Sequence, residues 1–268
     1  MLRDITLGQY YQTDSVLHRM DCRVKLVATL VFIISLFVVD NIWGYVIAAA
    51  FLAVCIRLSN VPFKFMIKGM RAILFLMLFA MVFNLFLTPG TPLVSIWKLT
   101  ITKEGVAMAV KMAVRLTLLI IGSSLMTLTT TPNHLTDGLE SLLTPLKKIK
   151  VPVHEVAMMM SIALRFIPIL MEETDKIMKA QIARGADFES GNLIEKAKAM
   201  VPLFVPLFIA AFRRANDLAM AMEARCYRGG DGRTKMKPLI YQKRDYIAYG
   251  VLAGYLAVAV IVGRVLPL

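Results

Sequence analysis

Residues 25–57 read KLVATLVFIISLFVVDNIWGYVIAAAFLAVCIR and contain two apolar stretches, 25–41 and 42–57. Each stretch approaches the roughly 17 to 25 residues that an α-helix needs to cross the hydrocarbon core of a bilayer. Between them, Asn41 and Gly44 favour a tight reversal of the chain. The sequence therefore predicts a hairpin of two transmembrane helices.

The composition of the whole chain also indicates a membrane protein. Of its 268 residues, 58% are apolar and the mean hydropathy is +0.67, whereas soluble domains are about 45 to 50% apolar. Three more stretches are apolar and long enough to span, namely 71–88, 106–129 and 246–265. No short apolar core with a cleavage site occurs in the first 24 residues, so we expect no secretory signal peptide. The predicted fold class is an all-α integral membrane protein with about five transmembrane helices.

The distribution of basic residues predicts the orientation of these spans. The formal net charge is +13, and seventeen of the lysines and arginines lie between Thr130 and Lys243. Basic residues also flank the first span and fill the connection between the second and third, whereas residues 88–105 hold only two. Because basic loops remain in the cytoplasm, the N-terminus is expected inside and the C-terminus outside. Four segments follow: a cytoplasmic N-terminal segment 1–24, four spans in 25–129, a cytoplasmic helical domain 130–243 and a fifth span in 244–268.

The basic domain shows helical periodicity rather than the composition of a linker. We expect an interfacial helix over 133–148 and two long, crossing helices over 152–185 and 193–229. Each long helix has an apolar first half that contains charge or proline, and this favours interfacial or protein-buried placement over a complete span. The interrupting residues are Arg165, Pro168, Pro202 and Pro206.

The two long helices end in similar motifs, Ala183-Arg184-Gly185 and Ala224-Arg225-Cys226. A basic residue followed by glycine is common at helix ends, where it caps the helix without any partner. Two copies on two long cytoplasmic helices favour a pair of docking sites instead. Arginine suits such a site because its planar guanidinium binds carboxylates or carbonyls in a bidentate manner.

An alignment of these motifs also superposes two charged pairs. With Arg184 on Arg225, the acidic Glu172 and Glu173 fall on the basic Arg213 and Arg214. We therefore predict that these side chains pair where the two long helices cross.

The two Ala-Arg motifs, together with the N-terminal run GQYYQTDSVLHRMDCRVK at 8–25, resemble the T-component of energy-coupling-factor transporters. The resemblance covers essentially the whole chain. The family typically has Asp-Pro-Arg where this chain has Asp21-Cys22-Arg23, and often Ala-Arg-Gly where it has Ala224-Arg225-Cys226. Neither difference removes an arginine.

The resemblance implies a non-catalytic scaffold in a bacterial or archaeal cell membrane. Its partners would be two cytosolic ABC-type ATPases, which receive the two motif arginines, and a small, exchangeable membrane subunit that captures the substrate. ATP hydrolysis would then move the capture subunit and drive uptake of a vitamin or metal ion. Because the capture subunit selects the substrate in that family, the sequence of this chain does not identify the substrate.

Other features limit the alternatives. No glycine precedes a lysine, so the G-x-x-x-x-G-K phosphate-binding loop is missing and ATP hydrolysis would require partners. The three histidines and three cysteines show no metal-ligand spacing, and we expect neither metal nor cofactor. Positive-inside bias explains the basic face without nucleic acid. A membrane enzyme is thus disfavoured.

A conventional ABC permease with its own substrate path is the closer alternative. Such a permease would carry polar spans, whereas here the fourth span alone holds internal charge, at Lys111 and Arg115. We expect these two side chains to face the protein interior or to reach the interface. Gly250 and Gly254 form G-x-x-x-G and predict close packing of the last span within the chain.

Overall fold

The structure is a computed structural model that describes residues 10–39, 41–96, 99–186, 188, 192–230, 236 and 238–265. The chain divides into two compact units. The membrane unit contains the described residues of 8–139 and 239–268, and the helix-pair unit contains those of 140–238. Eight α-helices and one β hairpin occur in the described residues, which confirms the predicted all-α membrane fold and adds a short hairpin to it.

The membrane unit is built from α1 to α5 and α8. The bounds of these helices are α1 Cys22–Val38, α2 Ile42–Ser59, α3 Phe63–Leu87, α4 Lys103–Thr129, α5 Pro132–Leu143 and α8 Lys243–Val265. The last four residues of α5 belong to the helix-pair unit, which continues with a 3₁₀ turn at Thr144–Ile149. Its two long helices are α6 Val153–Ala183 and α7 Leu193–Ala224.

Antiparallel strands β1 Pro92–Ile96 and β2 Leu99–Thr102 form a hairpin between α3 and α4 that we did not predict. One side chain, that of Thr102, secures its base. The Thr102 hydroxyl accepts a hydrogen bond from Gly105 N–H at 3.0 Å as the N-cap of α4, and it donates to Thr88 O at 2.9 Å. The hairpin therefore joins the ends of two helices through a fixed turn.

Four of the described helices are long and apolar enough to cross a membrane, and three of them are predicted spans: α2, α4 and α8. The fourth is α6, which is continuous over 31 residues as predicted. Our expectation that Arg165 and Pro168 make it a poor candidate for a span is not supported by its length and composition. The first predicted span, α1, has 17 residues, which lies at the lower limit for crossing.

Several predicted boundaries also require correction. Helix α3 begins at Phe63 rather than at 71, so the basic residues that we assigned to a long connection lie in its first turns. Helix α5 ends at Leu143 and gives way to the 3₁₀ turn rather than continuing to 148. Helix α7 ends at Ala224 rather than at 229, and it continues without a break through its two prolines.

The core of the membrane unit lies among α1, α2, α4 and α8, around Phe32, Leu36, Leu52, Leu125 and Tyr255. Within it, Ser35 Oγ and Tyr255 Oη are 2.8 Å apart and hydrogen-bonded, which satisfies the phenol inside the bundle. Gly122 of α4 lies directly against Phe32, because a Cβ atom at that position would be 2.8 Å from the ring. The packing of α4 on α1 therefore requires glycine, which has no side chain, at position 122.

Two expectations about the spans have different outcomes. Arg115 turns inward, since its Nε donates to Tyr45 Oη at 2.9 Å, whereas Lys111 is exposed. The expectation for Gly250 and Gly254 is wrong: a Cβ atom at either glycine would meet nothing within 4 Å. This part of α8 is open, and the G-x-x-x-G pair packs no other helix of the described chain.

Candidate docking sites on α6 and α7

Helices α6 and α7 end with the same backbone geometry. The last helical residue is an alanine in both, and the arginine that follows is the C-cap, with φ −87° at Arg184 and −92° at Arg225. The next residue has a positive φ, +89° at Gly185 and +55° at Cys226. Cysteine 226 is thus a non-glycine residue held in the left-handed region.

The hydrogen bonds at the two ends are also equivalent. At the end of α6, Gly185 N–H donates to Ile182 O at 2.9 Å, and Ala186 N–H donates to Gln181 O at 3.0 Å. These are the two bonds of a Schellman motif, which satisfies the last carbonyls of a helix. In α7 the corresponding bonds are Cys226 N–H to Glu223 O at 2.8 Å and Tyr227 N–H to Met222 O at 3.0 Å.

All six motif residues are exposed. Neither the Arg184 nor the Arg225 guanidinium has a hydrogen-bond or ion-pair partner among the described residues. Their carbonyl caps are made by the backbone alone, so neither arginine side chain is needed to end its helix. Both are therefore available to an external carboxylate or carbonyl group.

The structure brings together one of the two predicted charged pairs. Arg214 Nη2 donates to Glu173 Oε2 at 2.7 Å, with 36% and 27% of the two side chains exposed. Glu172 and Arg213 point to solvent and make no such contact within the described residues. A partly exposed pair of this kind contributes about 0 to 1 kcal/mol, so it fixes the register of the helices more than their stability.

A second contact gives the direction of the crossing. Gln181 Nε2 donates to Pro202 O at 3.3 Å, so a step toward the end of α6 corresponds to a step toward the beginning of α7. The helices therefore cross in an antiparallel sense. Arg184 and Arg225 each lie eleven residues beyond the ion pair, roughly 16 Å along the helix axis, on opposite sides of the contact.

Helix α7 also presents an aromatic face that we did not predict. Phe204, Phe208 and Phe212 are 55%, 65% and 57% exposed, and their spacing of four residues places them in one row. A separate apolar pocket of about 270 Å³ lies between α6 and α7 and is lined by residues such as Phe166 and Leu218. The repeated spacing of the phenylalanines was the sequence signal for this face.

The N-terminal run that carries the resemblance forms a tight cluster in the membrane unit. Asp21 caps α1 by accepting from Arg23 N–H at 2.8 Å, and it also pairs with the Arg23 guanidinium. Arg23 donates to Leu239 O and lies over the Tyr241 ring, while the buried Asp245 accepts from Asp21 N–H at 3.0 Å. The start of α1 is thereby joined to the start of α8.

This cluster also explains the pKa of the Asp21 carboxyl. Burial alone would raise the pKa of this carboxyl, but the hydrogen bonds and the charge of Arg23 outweigh burial and hold the pKa below its ordinary value. Cys22 occupies the first position of α1, where the N–H has no partner in the helix. Proline is favoured at this position, so the family's Asp-Pro-Arg fits the same geometry.

The histidines make local contacts. His18 Nε2 donates to Tyr11 O at 3.0 Å and its Nδ1 accepts from the Ser15 hydroxyl at 2.7 Å, while His154 pairs with Glu140 at 2.8 Å. In the part of the chain that the structure describes, no three side chains of histidine, cysteine, aspartate or glutamate lie close enough to hold a metal ion.

Comparison with known proteins agrees with the family resemblance of the sequence. A family model described as "Cobalt transport protein" matches residues 13–236. Proteins named "Energy-coupling factor transporter transmembrane protein EcfT" are similar over nearly their whole length. The relative from Clostridium kluyveri is 58% identical over 92% of this chain and 93% of its own. This chain belongs to the EcfT family.

Further relatives extend the similarity to other bacteria. The EcfT protein of Ruminiclostridium cellulolyticum is 55% identical over 94% of both chains, and that of Bacillus subtilis is 46% identical over 91% of this chain and 93% of its own. As an EcfT protein, the chain is the transmembrane component of an energy-coupling-factor transporter and a multi-pass membrane protein.

Proposed function

We propose that this chain is the scaffold through which two cytosolic ABC-type ATPases move a substrate-capture subunit in the membrane. Arg184 and Arg225 each dock one ATPase, and α6 and α7 transmit the change in ATPase spacing. The uptake of a vitamin or metal ion follows from movement of the capture subunit. The chain itself hydrolyses no ATP, and its N-terminus lies in the cytoplasm.

The observation that carries this proposal is the pair of equivalent helix ends. Two arginines are exposed and unpartnered among the described residues, and each follows a helix whose carbonyls the backbone already caps. A left-handed residue with these two hydrogen bonds is common at helix ends. The support comes instead from the repetition of the Ala-Arg sequence, with an exposed arginine, at the ends of two long helices that pack on each other. Two such ends suit two homologous partners that bind in the same manner.

The lengths of the helices support the transmission of movement. We call the part of each helix between the Glu173–Arg214 pair and its motif arginine a docking arm. Because α6 and α7 cross in an antiparallel sense, the two arms extend in opposite directions from this pair. Each arm is continuous helix up to its arginine, so a displacement of either ATPase moves the crossing directly. The aromatic face of α7 is the part of this lever that we assign to the capture subunit, since large exposed aromatics are typical of interface cores.

The test is co-purification of the ATPases with a tagged chain. We expect Arg184→Ala and Arg225→Ala each to weaken assembly, and the double variant to abolish it, because a desolvated arginine at an interface contributes about 2 kcal/mol or more. Arg184→Lys should restore assembly only in part, since lysine loses the bidentate geometry. Arg165→Ala is the matched control, because Arg165 is an exposed arginine on α6 outside the motif.

Two results would contradict the proposal. Normal recovery of both ATPases with the double variant would remove the docking role, provided that the variant inserts in the membrane as the parent chain does. ATP turnover by the purified chain without partners would remove the role of a non-catalytic scaffold.

A further inference from the structure

The membrane unit contains a large apolar groove with a basic end. Its volume is about 750 Å³, and it is lined by α1, α2, α4, α8 and the turn before α1. Along α8 the lining runs from Arg244 through Val251 and Gly254 to Val258. Nothing lies within 4 Å of a Cβ atom built at Gly254, so this wall of the groove is open.

The basic end contains an arginine without a counter-ion. The Arg244 Nε atom is buried and has no hydrogen-bond partner, and no carboxylate of the described chain pairs with this guanidinium. The adjacent Asp245 does not serve, because its two oxygens accept from the backbone N–H groups of Asp21 and Gln242. Lys25, which also lines the groove, donates to Thr129 O and adds a second positive charge. A buried and unsatisfied cationic donor is costly, so this end of the groove favours an anion.

We propose that the groove binds one anionic glycerophospholipid, with its phosphodiester at Arg244 and an acyl chain along α8. The length of the groove supports a lipid over a partner helix. From Arg244 to Val258 the groove follows α8 for roughly 21 Å. This length is greater than the thickness of one leaflet, which is about half of a 30 Å hydrocarbon core, but smaller than the thickness of the whole core. A transmembrane helix would need the full thickness, and it would bring no phosphate to the buried guanidinium. The binding site is independent of the proposed docking of ATPases.

The experiment uses the full chain in vesicles of phosphatidylcholine with or without phosphatidylglycerol, followed by gentle extraction and native mass spectrometry. We expect one retained phosphatidylglycerol for the parent chain and about fivefold less occupancy for Arg244→Gln, the factor that one basic residue contributes at an anionic surface. Lys243→Gln is the matched control, because Lys243 is exposed and adjacent but does not line the groove.

A second pair of variants tests the apolar part. Gly254→Phe fills the groove and should reduce retention of the lipid, whereas Gly250→Phe adds the same side chain one turn away, outside the lining, and should leave retention unchanged. Equal retention of phosphatidylcholine and phosphatidylglycerol would overturn the proposal. Equal losses in the two members of either variant pair would also overturn it, as would a photo-crosslinker at Val251 that captures a protein helix instead of lipid.

Discussion

Exchange of the residues after Arg184 and Arg225 should change the stability of the two helix ends in opposite directions. Both Gly185 and Cys226 have positive φ, but only glycine adopts such values without a steric penalty. For an L-residue the penalty in the folded chain is about 1 to 2 kcal/mol. Glycine avoids this penalty, but it also gives the unfolded chain more entropy, which opposes folding by about 0.4 to 1 kcal/mol and cancels part of the advantage.

The structure allows the net effect to be worked out. A Cβ atom at Gly185 would meet nothing within 4 Å, so Gly185→Ala changes only the backbone energy and not the packing. We therefore expect Gly185→Ala to destabilise the end of α6 by about 1 kcal/mol, and Cys226→Gly to stabilise the end of α7 by a similar amount. Such a change corresponds to a factor of about five in the opening equilibrium.

Hydrogen exchange measured by mass spectrometry provides the assay. The relevant amides are those of Cys226 and Tyr227, which donate the two bonds of the Schellman motif of α7. Their exchange should slow about fivefold in Cys226→Gly. Cys226→Ala is the control, because it removes the thiol but keeps an L-residue at the same φ, and it should leave exchange unchanged. Equal protection in the alanine and glycine variants would refute the role of the backbone, as would faster exchange in the glycine variant.

Two further predictions concern the membrane unit. Gly122→Ala should lower the free energy of unfolding of the purified chain by about 1 to 3 kcal/mol, because its new methyl group overlaps the ring of Phe32. In thermal unfolding, Phe32→Leu in the same chain should restore part of the loss if that contact is the cause. Burial is the largest influence on His18 and lowers its pKa, so the folded chain binds this proton less readily than the unfolded chain, and stability should fall as the pH drops below about 6.5. Hydrogen exchange at Tyr11 should report this loss between about pH 7.5 and 5.5, and His18→Gln, which keeps a donor toward Tyr11 O, should show less pH dependence.

The sequence predicted the elements whose signals are local and strong. The apolar runs of α2, α4 and α8 approach or reach the length that a bilayer span requires, so these helices were predictable from composition. The boundary of α3 was missed because we placed its basic first turns in a loop, although a helix that extends out of the bilayer can carry such residues. Pro168 was given too much weight against a complete span, because a long helix can tolerate the loss of one hydrogen bond and α6 has the length and composition to cross a membrane.

The predictions that failed concern features that depend on contacts between residues far apart in the sequence. The base of the β hairpin between α3 and α4 is held by the hydrogen bond from the Thr102 hydroxyl to Thr88 O, a contact that no local sequence pattern reveals. The open face at Gly250 and Gly254 was misjudged because G-x-x-x-G states only that a close approach is sterically available, and not that a neighbour is present. The offset between the two Ala-Arg motifs was more informative, since the same offset of 41 residues relates Glu173 to Arg214.

The relation between this offset and the antiparallel crossing bears on how the helix pair can work. Because Glu173 and Arg214 lie the same number of residues before their arginines, the two arms from the crossing have equal length. Beside the crossing, the helices leave an apolar pocket of about 270 Å³ instead of a close-packed seam. Among the described residues, the polar contacts between the two helices are an ion pair worth at most about 1 kcal/mol and one amide–carbonyl bond of similar strength. A change in the crossing angle would therefore break few polar interactions, while the continuous helices keep each arm stiff. An interface that is weak at the crossing and rigid along the arms is the combination that a lever between two moving partners requires.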